Sequence, residues 1–226
     1  MRFVITLLAG LILATAAHAL SLADISGKDA GGGLKEALTQ GAGKAVEILG
    51  RQDGFLGNSR VKIPLPESVQ QIEGLLRGFG MGKQADELIT AMNRAAEAAV
   101  PQAKALLVNS IKQMSVADAK GILSGGEDSA TQYFRRTTSG PLAEKFKPVV
   151  RSAMARVKLA EKYEQLAGKA AKFGLVREQD AHLENYVTQK TLDGLFLMIA
   201  DEEKAIRKNP AEAAGRLAQK VFGALN

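Results

Sequence analysis

Cysteine and tryptophan are absent from this 226-residue chain, and histidine occurs twice. Without a thiol there is no disulfide, no cysteine nucleophile and no lipid on an N-terminal cysteine. Aromatic residues make up 5% of the chain, so its core must be built from aliphatic helix faces rather than large rings. His18 lies in an N-terminal leader, which leaves His182 as the one imidazole beyond it; a histidine triad has a single candidate base and a zinc site one candidate ring. Ser124 and Ser139 lack the G-x-S-x-G context of a nucleophile elbow, and no G-x-x-x-x-G-K-[ST] loop occurs. The glycines at 78, 80 and 82 follow no strand pattern, so they read as helix termination and not as a phosphate cradle. No metal or cofactor is expected, and catalysis is not the favoured reading.

Long apolar runs are missing too. The longest begins at the N-terminus, where Arg2 precedes apolar residues 3–13 and then Ala17-His18-Ala19, the layout of a cleaved secretory signal. Cleavage after Ala19 and a periplasmic destination are therefore expected, leaving 207 residues, enough for one domain with a sizeable core. Residues 195–200 are also apolar but run into Asp201, Glu202 and Glu203, which is far too short to cross a bilayer. No transmembrane span is expected once the signal is removed.

What is there is helical periodicity. Leu192, Leu195, Phe196, Ile199 and Ile206 recur at helical spacing, and Leu197 and Met198 make the middle turn apolar all round; such a helix belongs inside. An all-α, single-domain bundle of about seven to nine helices is expected around this buried segment, residues 188–208. Residues 20–33 read as a flexible lead-in and 34–226 as the domain, with a first helix to about Gly50. Turn residues dominate 51–66, where Val61 and Ile63 alternate with Arg60 and Lys62 before Pro64, predicting a short proline-rich extended element near 60–65. Pro66 is placed to open a helix that reaches Arg77. A long pattern from Ala85 to Met114 contains Pro101, so a kink or two helices meeting near Val100 follow. Ser115 and Asp118 have capping-box spacing for a helix to Ser124 that Gly125-Gly126 ends. A helix from Asp128 or Ser129 to about Thr138 comes next, then a turn at Ser139-Gly140-Pro141, a helix over 142–173 with Pro148 near its start, and a last one after Asn209-Pro210 through Leu217 and Val221.

At Val61-Lys62-Ile63-Pro64-Leu65-Pro66, Met92-Asn93-Arg94-Ala95-Ala96-Glu97, Tyr133-Phe134-Arg135, and Tyr186-Val187-Thr188 through Leu192-Asp193-Gly194-Leu195-Phe196, the chain resembles a bacterial family of exported proteins, domain of unknown function 4197. The resemblance covers roughly residues 34–223. It implies a helical envelope domain and brings no reaction, ligand or catalytic residue. Many members look like lipoproteins, a pattern from which this cysteine-free chain departs.

Two constellations remain. Asn93, Arg94, Glu97, Asp118, Tyr133, Asp193 and Glu203 could form a polar cluster, as a structural network, a ligand site or an acid/base site. Glu203 continues the apolar stripe of Ile199 and Ile206, so its carboxylate must find a donor or stay neutral. Asp201, Glu202 and Glu203 point about 100 degrees apart and cannot converge on one calcium by themselves. The other constellation is charge. Between Arg135 and Arg177 eleven Lys or Arg face three carboxylates, a local net of +8, whereas the chain beyond the signal totals +5, so the remainder carries −3. Lys147, Arg151, Lys158, Lys162 and Lys169 would form one stripe on a continuous helix, with Arg135 and Arg136 before it. Either this is a solvated face with snorkelling stems, or it binds an anionic envelope component or an acidic protein. Specific nucleic-acid recognition is poorly supported, since few rings are free to stack on bases. The sequence therefore favours a non-catalytic binding or scaffolding role; a carrier of an apolar small molecule or lipid is the alternative, and an enzyme with a carboxylate, Tyr and Arg site the third reading.

Overall fold

In the computed structural model of the protein, the described residues are 27–67, 70, 77–78, 80, 82–157, 160–161, 163–164, 182–210 and 215–223. They form helices α1 (Gly27–Gly50), α2 (Gly82–Ala99), α3 (Ala103–Gln113), α4 (Val116–Leu123), α5 (Ser129–Met154), α6 (Leu183–Lys208) and α7 (Arg216–Gly223). No strand occurs among the described residues. The chain is an all-helical, single-domain bundle.

Helix α6 sits where its sequence placed it. It packs against α1, α2, α5 and α7, and Leu192, Leu195, Phe196 and Ile199 are buried to 4%, 0%, 1% and 2% exposure. Ile206, expected on the same stripe, is only partly buried near the helix end. Pro101 acts as anticipated: α2 stops at Ala99, a single 3-10 turn (Val100–Gln102) follows, and α3 starts at Ala103, because proline cannot donate the bond that would continue α2. Both arms of the Ser115–Asp118 capping box are made.

Several boundaries differ from the sequence reading. Helix α1 begins at Gly27, inside the expected lead-in. Gly33 is there for contact: a Cβ on it would lie 2.5 Å from the Leu217 carbonyl oxygen of α7. The expected turn at Ser139-Gly140-Pro141 is absent, since α5 runs unbroken through Pro141 and Pro148. Gly140 supplies part of the reason, because the residue before a proline is excluded from helical geometry largely by its Cβ. Packing supplies the rest, with Leu142, Phe146 and Val150 fully buried. The expected helix over 142–173 instead ends with α5 at Met154 and a turn at Ala155, so Pro148 lies inside a helix rather than at its start. Of the expected helix from Pro66 to Arg77, Gln70 N–H donates to the Pro66 carbonyl, and most of the remainder lies outside the described residues. Helix α6 ends at Lys208 with Asn209 as its C-cap, and α7 follows Gly215, which has φ +100.

Residues 51–66 form a strap across α2 and α6. Val61, Ile63 and Leu65 are buried while Arg60, Lys62 and Pro64 are exposed, the predicted alternation. It is an extended segment that pairs with side chains instead of another strand.

Candidate functional site

Asn93 substitutes for the missing neighbouring strand. Fully buried on α2, its Oδ1 accepts from the Ile63 N–H at 2.8 Å, and its Nδ2 donates to the Ile63 carbonyl at 2.9 Å and to the Ile89 carbonyl at 2.8 Å. Buried backbone groups must be paired, and this amide pairs both of those on Ile63. One turn later Glu97 does similar work. Its Oε1 accepts from the N–H groups of Phe55 and Leu56 at 3.0 and 3.1 Å, and Oε2 accepts from Arg94 at 2.6 Å. Arg94 also donates to Asp53 at 2.7 Å, a residue in the left-handed region at φ 64. Held by Glu97 first and Asp53 second, the Arg94 guanidinium is protonated even more firmly than usual. Tyr186 secures the far end of the strap, donating from its hydroxyl to the Pro64 carbonyl at 3.0 Å.

A second buried carboxylate lies at the other end of α6. Helix α5 has Asp128 at its N-cap, yet that side chain makes no capping bond. Glu203 caps the helix from across the bundle: Oε1 accepts from Ala130 N–H, and Oε2 from the N–H and hydroxyl of Thr131, each at 2.9 Å. A negative charge there also meets the positive end of the helix dipole. Arg207 completes the group, donating to Glu203 at 2.9 Å and to the Ile122 carbonyl and Ser129 Oγ at 2.9 Å.

The seven polar residues expected as a cluster therefore do not converge. Asn93, Arg94 and Glu97 hold the strap, and Glu203 holds α5. Tyr133 donates to the Ser110 carbonyl at 2.7 Å. Asp118 serves the α4 cap and meets Arg136 at 3.1 Å; the Ser115 bonds, then Arg136, hold its carboxyl below the usual range. Asp193 accepts from Gln189 at 3.0 Å and lies 3.9 Å from Arg135. Each oxygen of Glu97 and Glu203 is already hydrogen-bonded within the chain, so these carboxylates position backbone amides. Among the described residues no group of three or more His, Asp or Glu could hold a metal ion, and no helix is long and apolar enough to cross a membrane.

The cationic face is divided. Lys147 and Arg151 share α5 with Arg135 and Arg136, but α5 ends before Lys158, so the single continuous stripe is not formed by that helix. Lys158, Lys162 and Lys169 lie outside the described residues. Arg135 stacks 4.8 Å over the Phe196 ring and Arg136 lies 5.5 Å from the Tyr133 centroid. Arg151 makes a two-pronged pair with Glu184 at 2.6 and 3.0 Å, which holds Glu184 below the usual carboxylate range. These three arginines remain solvent-facing, with side chains 42%, 65% and 68% exposed. Lys145 is exposed on the same helix.

Beside the Arg151–Glu184 pair, a cleft of about 380 Å³ opens between the end of α5 and the start of α6, lined also by Met154, Val157, Ala160, Glu161, Glu164 and His182. At two glycines on packed helix faces there is no room for an apolar ligand: a Cβ on Gly194 would lie 2.7 Å from the Phe55 ring, and one on Gly41 3.4 Å from Ile206.

Sequence reasoning overlooked three participants. Arg207 was signalled by its position four residues after Glu203, a favourable order on a helix. Glu184 as the partner of Arg151 and Asp53 as the partner of Arg94 had no local signal, being 33 and 41 residues away.

A family model described as a protein of unknown function (DUF4197) matches residues 24–223. No curated protein and no solved structure matches the chain.

Proposed function

From the premise that the chain belongs to the DUF4197 family, we propose that it is a non-catalytic binding or scaffolding domain of the cell envelope that meets an anionic partner through the outer side of α5 and the cationic segment after it. Removal of residues 1–19, with cleavage after Ala19, would deliver it to the periplasm. The observation that carries the reading is charge segregation: residues 135–177 hold a net +8 while the rest of the chain beyond the signal is net negative. Arg136 and Arg151 support it by keeping their guanidinium groups largely in solvent while paired. The two best-buried carboxylates, Glu97 and Glu203, are committed to backbone amides, which favours a structural and binding role over acid/base chemistry.

Sedimentation with phosphatidylglycerol vesicles, at low and high salt, tests the proposal. Each surface cation contributes about 1 kcal/mol to attraction for an anionic bilayer, so reversing Arg136, Lys145, Lys158 and Lys162 to Glu is expected to abolish binding. Wild-type binding is expected to weaken steeply as salt rises, because exposed charges are screened. Binding that ignores salt and survives the four reversals would overturn the proposal.

A further inference from the structure

Asp-Gly occurs twice in the chain, at Asp53-Gly54 and Asp193-Gly194, and Asn-Gly nowhere. An aspartate before glycine is open to succinimide formation, since glycine puts no side chain in the way of its own nitrogen and lets the backbone bend freely. Exposure does not separate the two sites: the Asp53 and Asp193 side chains are 56% and 46% exposed. Their backbones do. Gly194 lies within α6, where its amide belongs to the helical ladder and its neighbours Leu192, Leu195 and Phe196 are buried. Asp53 lies in the turn after α1, at φ 64, and the Gly54 N–H donates to the Arg51 carbonyl at 3.0 Å within that same turn.

The two amides therefore differ in how far the protein must open to free them. An amide in a packed central helix is released by opening that approaches global unfolding, whereas an exposed turn opens locally. Arg94 adds a restraint on Asp53, donating to Oδ1 at 2.7 Å, but ion pairs this open to solvent hold only weakly. Nor can glycine be exchanged at this place, because a Cβ on Gly54 would lie 2.5 Å from the carbonyl oxygens of Ile48 and Leu49. The susceptible pair is built into the turn.

We propose that Asp53-Gly54 is a modification site, at which aspartate isomerises to isoaspartate, and that the Arg94 guanidinium slows the change by holding the carboxylate. The Gly54 nitrogen attacks Asp53 Cγ; an N–Cγ bond forms, and the amide proton leaves with the carboxyl OH as water, closing a succinimide. Water then opens the ring. Addition at the side-chain carbonyl restores aspartate, whereas addition at the main-chain carbonyl breaks the original peptide bond and leaves the chain running through Cγ. The mass is unchanged, and neither an oxidant nor a cofactor is needed. The product carries one extra main-chain carbon just ahead of Phe55 and Leu56, whose N–H groups Glu97 holds, so the modified strap is loosened at its anchor.

The test is prolonged warm incubation of the full-length protein at neutral pH, followed by trypsin, which frees Asp53 in residues 52–60 and Asp193 in residues 191–204. Electron-transfer fragmentation then distinguishes isoaspartate from aspartate in each peptide. Isoaspartate is expected to accumulate in 52–60 and not in 191–204. Arg94→Ala is expected to speed the change at Asp53 by roughly two- to fivefold, the population shift that an exposed ion pair can hold, with Asp193 still unmodified. The comparison of the two peptides within the wild-type chain depends on no variant. If neither peptide gains isoaspartate, or if 191–204 gains it as fast as 52–60, the proposal is overturned. It is overturned too if Arg94→Ala leaves the rate at Asp53 unchanged, or raises both peptides alike as general loosening of the fold would.

Discussion

Glu203 holds Thr131 by both of its donors, accepting from the backbone N–H and the hydroxyl at 2.9 Å across 72 residues of chain. The same carboxylate pairs with the nearly buried Arg207 at 2.9 Å, which ties it to α4 through the Ile122 carbonyl. Removing one partner of a buried ion pair typically costs 3–5 kcal/mol, and Glu203→Ala is expected to fall in that range, since it also uncaps α5. Glu203→Gln, which can still accept, is expected to cost less. Urea denaturation of the two variants checks the order.

Asn93 carries the strap in the same way. Asn93→Leu leaves the Ile63 N–H and carbonyl buried and unpaired, at about 1–3 kcal/mol for each stranded group. Amide hydrogen exchange is the sharper measurement: Ile63 is expected to lose protection together with Phe55 and Leu56, while amides in the middle of α6 keep theirs.

Glycines separate into two kinds. A methyl at Gly33 or Gly194 would press on the Leu217 carbonyl or the Phe55 ring at 2.5 and 2.7 Å, and overpacking of this kind costs about 1–3 kcal/mol. At Gly43 and Gly121, in α1 and α4, an added Cβ meets nothing within 4 Å. There the helix preference for alanine over glycine should appear as a gain of about 0.5–1 kcal/mol. Thermal unfolding midpoints of the four Gly→Ala variants are expected to fall for the first two and rise for the others.

Acid sensitivity has a definite sign. Arg151 holds Glu184 below the usual carboxylate range, and the Ser115 cap does the same for Asp118. A carboxylate depressed on folding contributes its stability above the unfolded pKa and surrenders it as pH falls through the folded one. The loss therefore begins near pH 4.3, the ordinary glutamate value, and proceeds downward, roughly. Arg151→Gln is expected to raise the Glu184 titration midpoint seen by carboxyl ¹³C NMR; an unchanged midpoint would show that the pair is not kept in solution.

Local rules were legible and remote ones were not. The Ser115–Asp118 box needs only four consecutive residues, and Pro101 acts on the turn that contains it, so both could be read directly. The spacing from Leu192 to Ile199 likewise announced a buried helix. Continuity of α5 through Pro141 was hidden because it rests on Gly140 and on the burial of Leu142 and Phe146 against partners distant in sequence. Glu203 and Glu97 stood out as carboxylates on packed faces, but their partners are main-chain amides, which leave no trace in side-chain identity. The end of α5 at Met154 was hidden since periodicity cannot say where a helix stops when no glycine or proline marks the place.

The crossing of Gly33 by the backbone at Leu217 joins the first described helix to the last. Ala218, Val221 and Phe222 of α7 are buried there, so the opening turns of α1 have their apolar side covered by residues made nearly two hundred positions later. While the chain is being synthesised, that side stays wet until the final segment arrives, and a fragment ending before Arg216 would retain an uncovered, aggregation-prone flank however well its remaining helices had assembled.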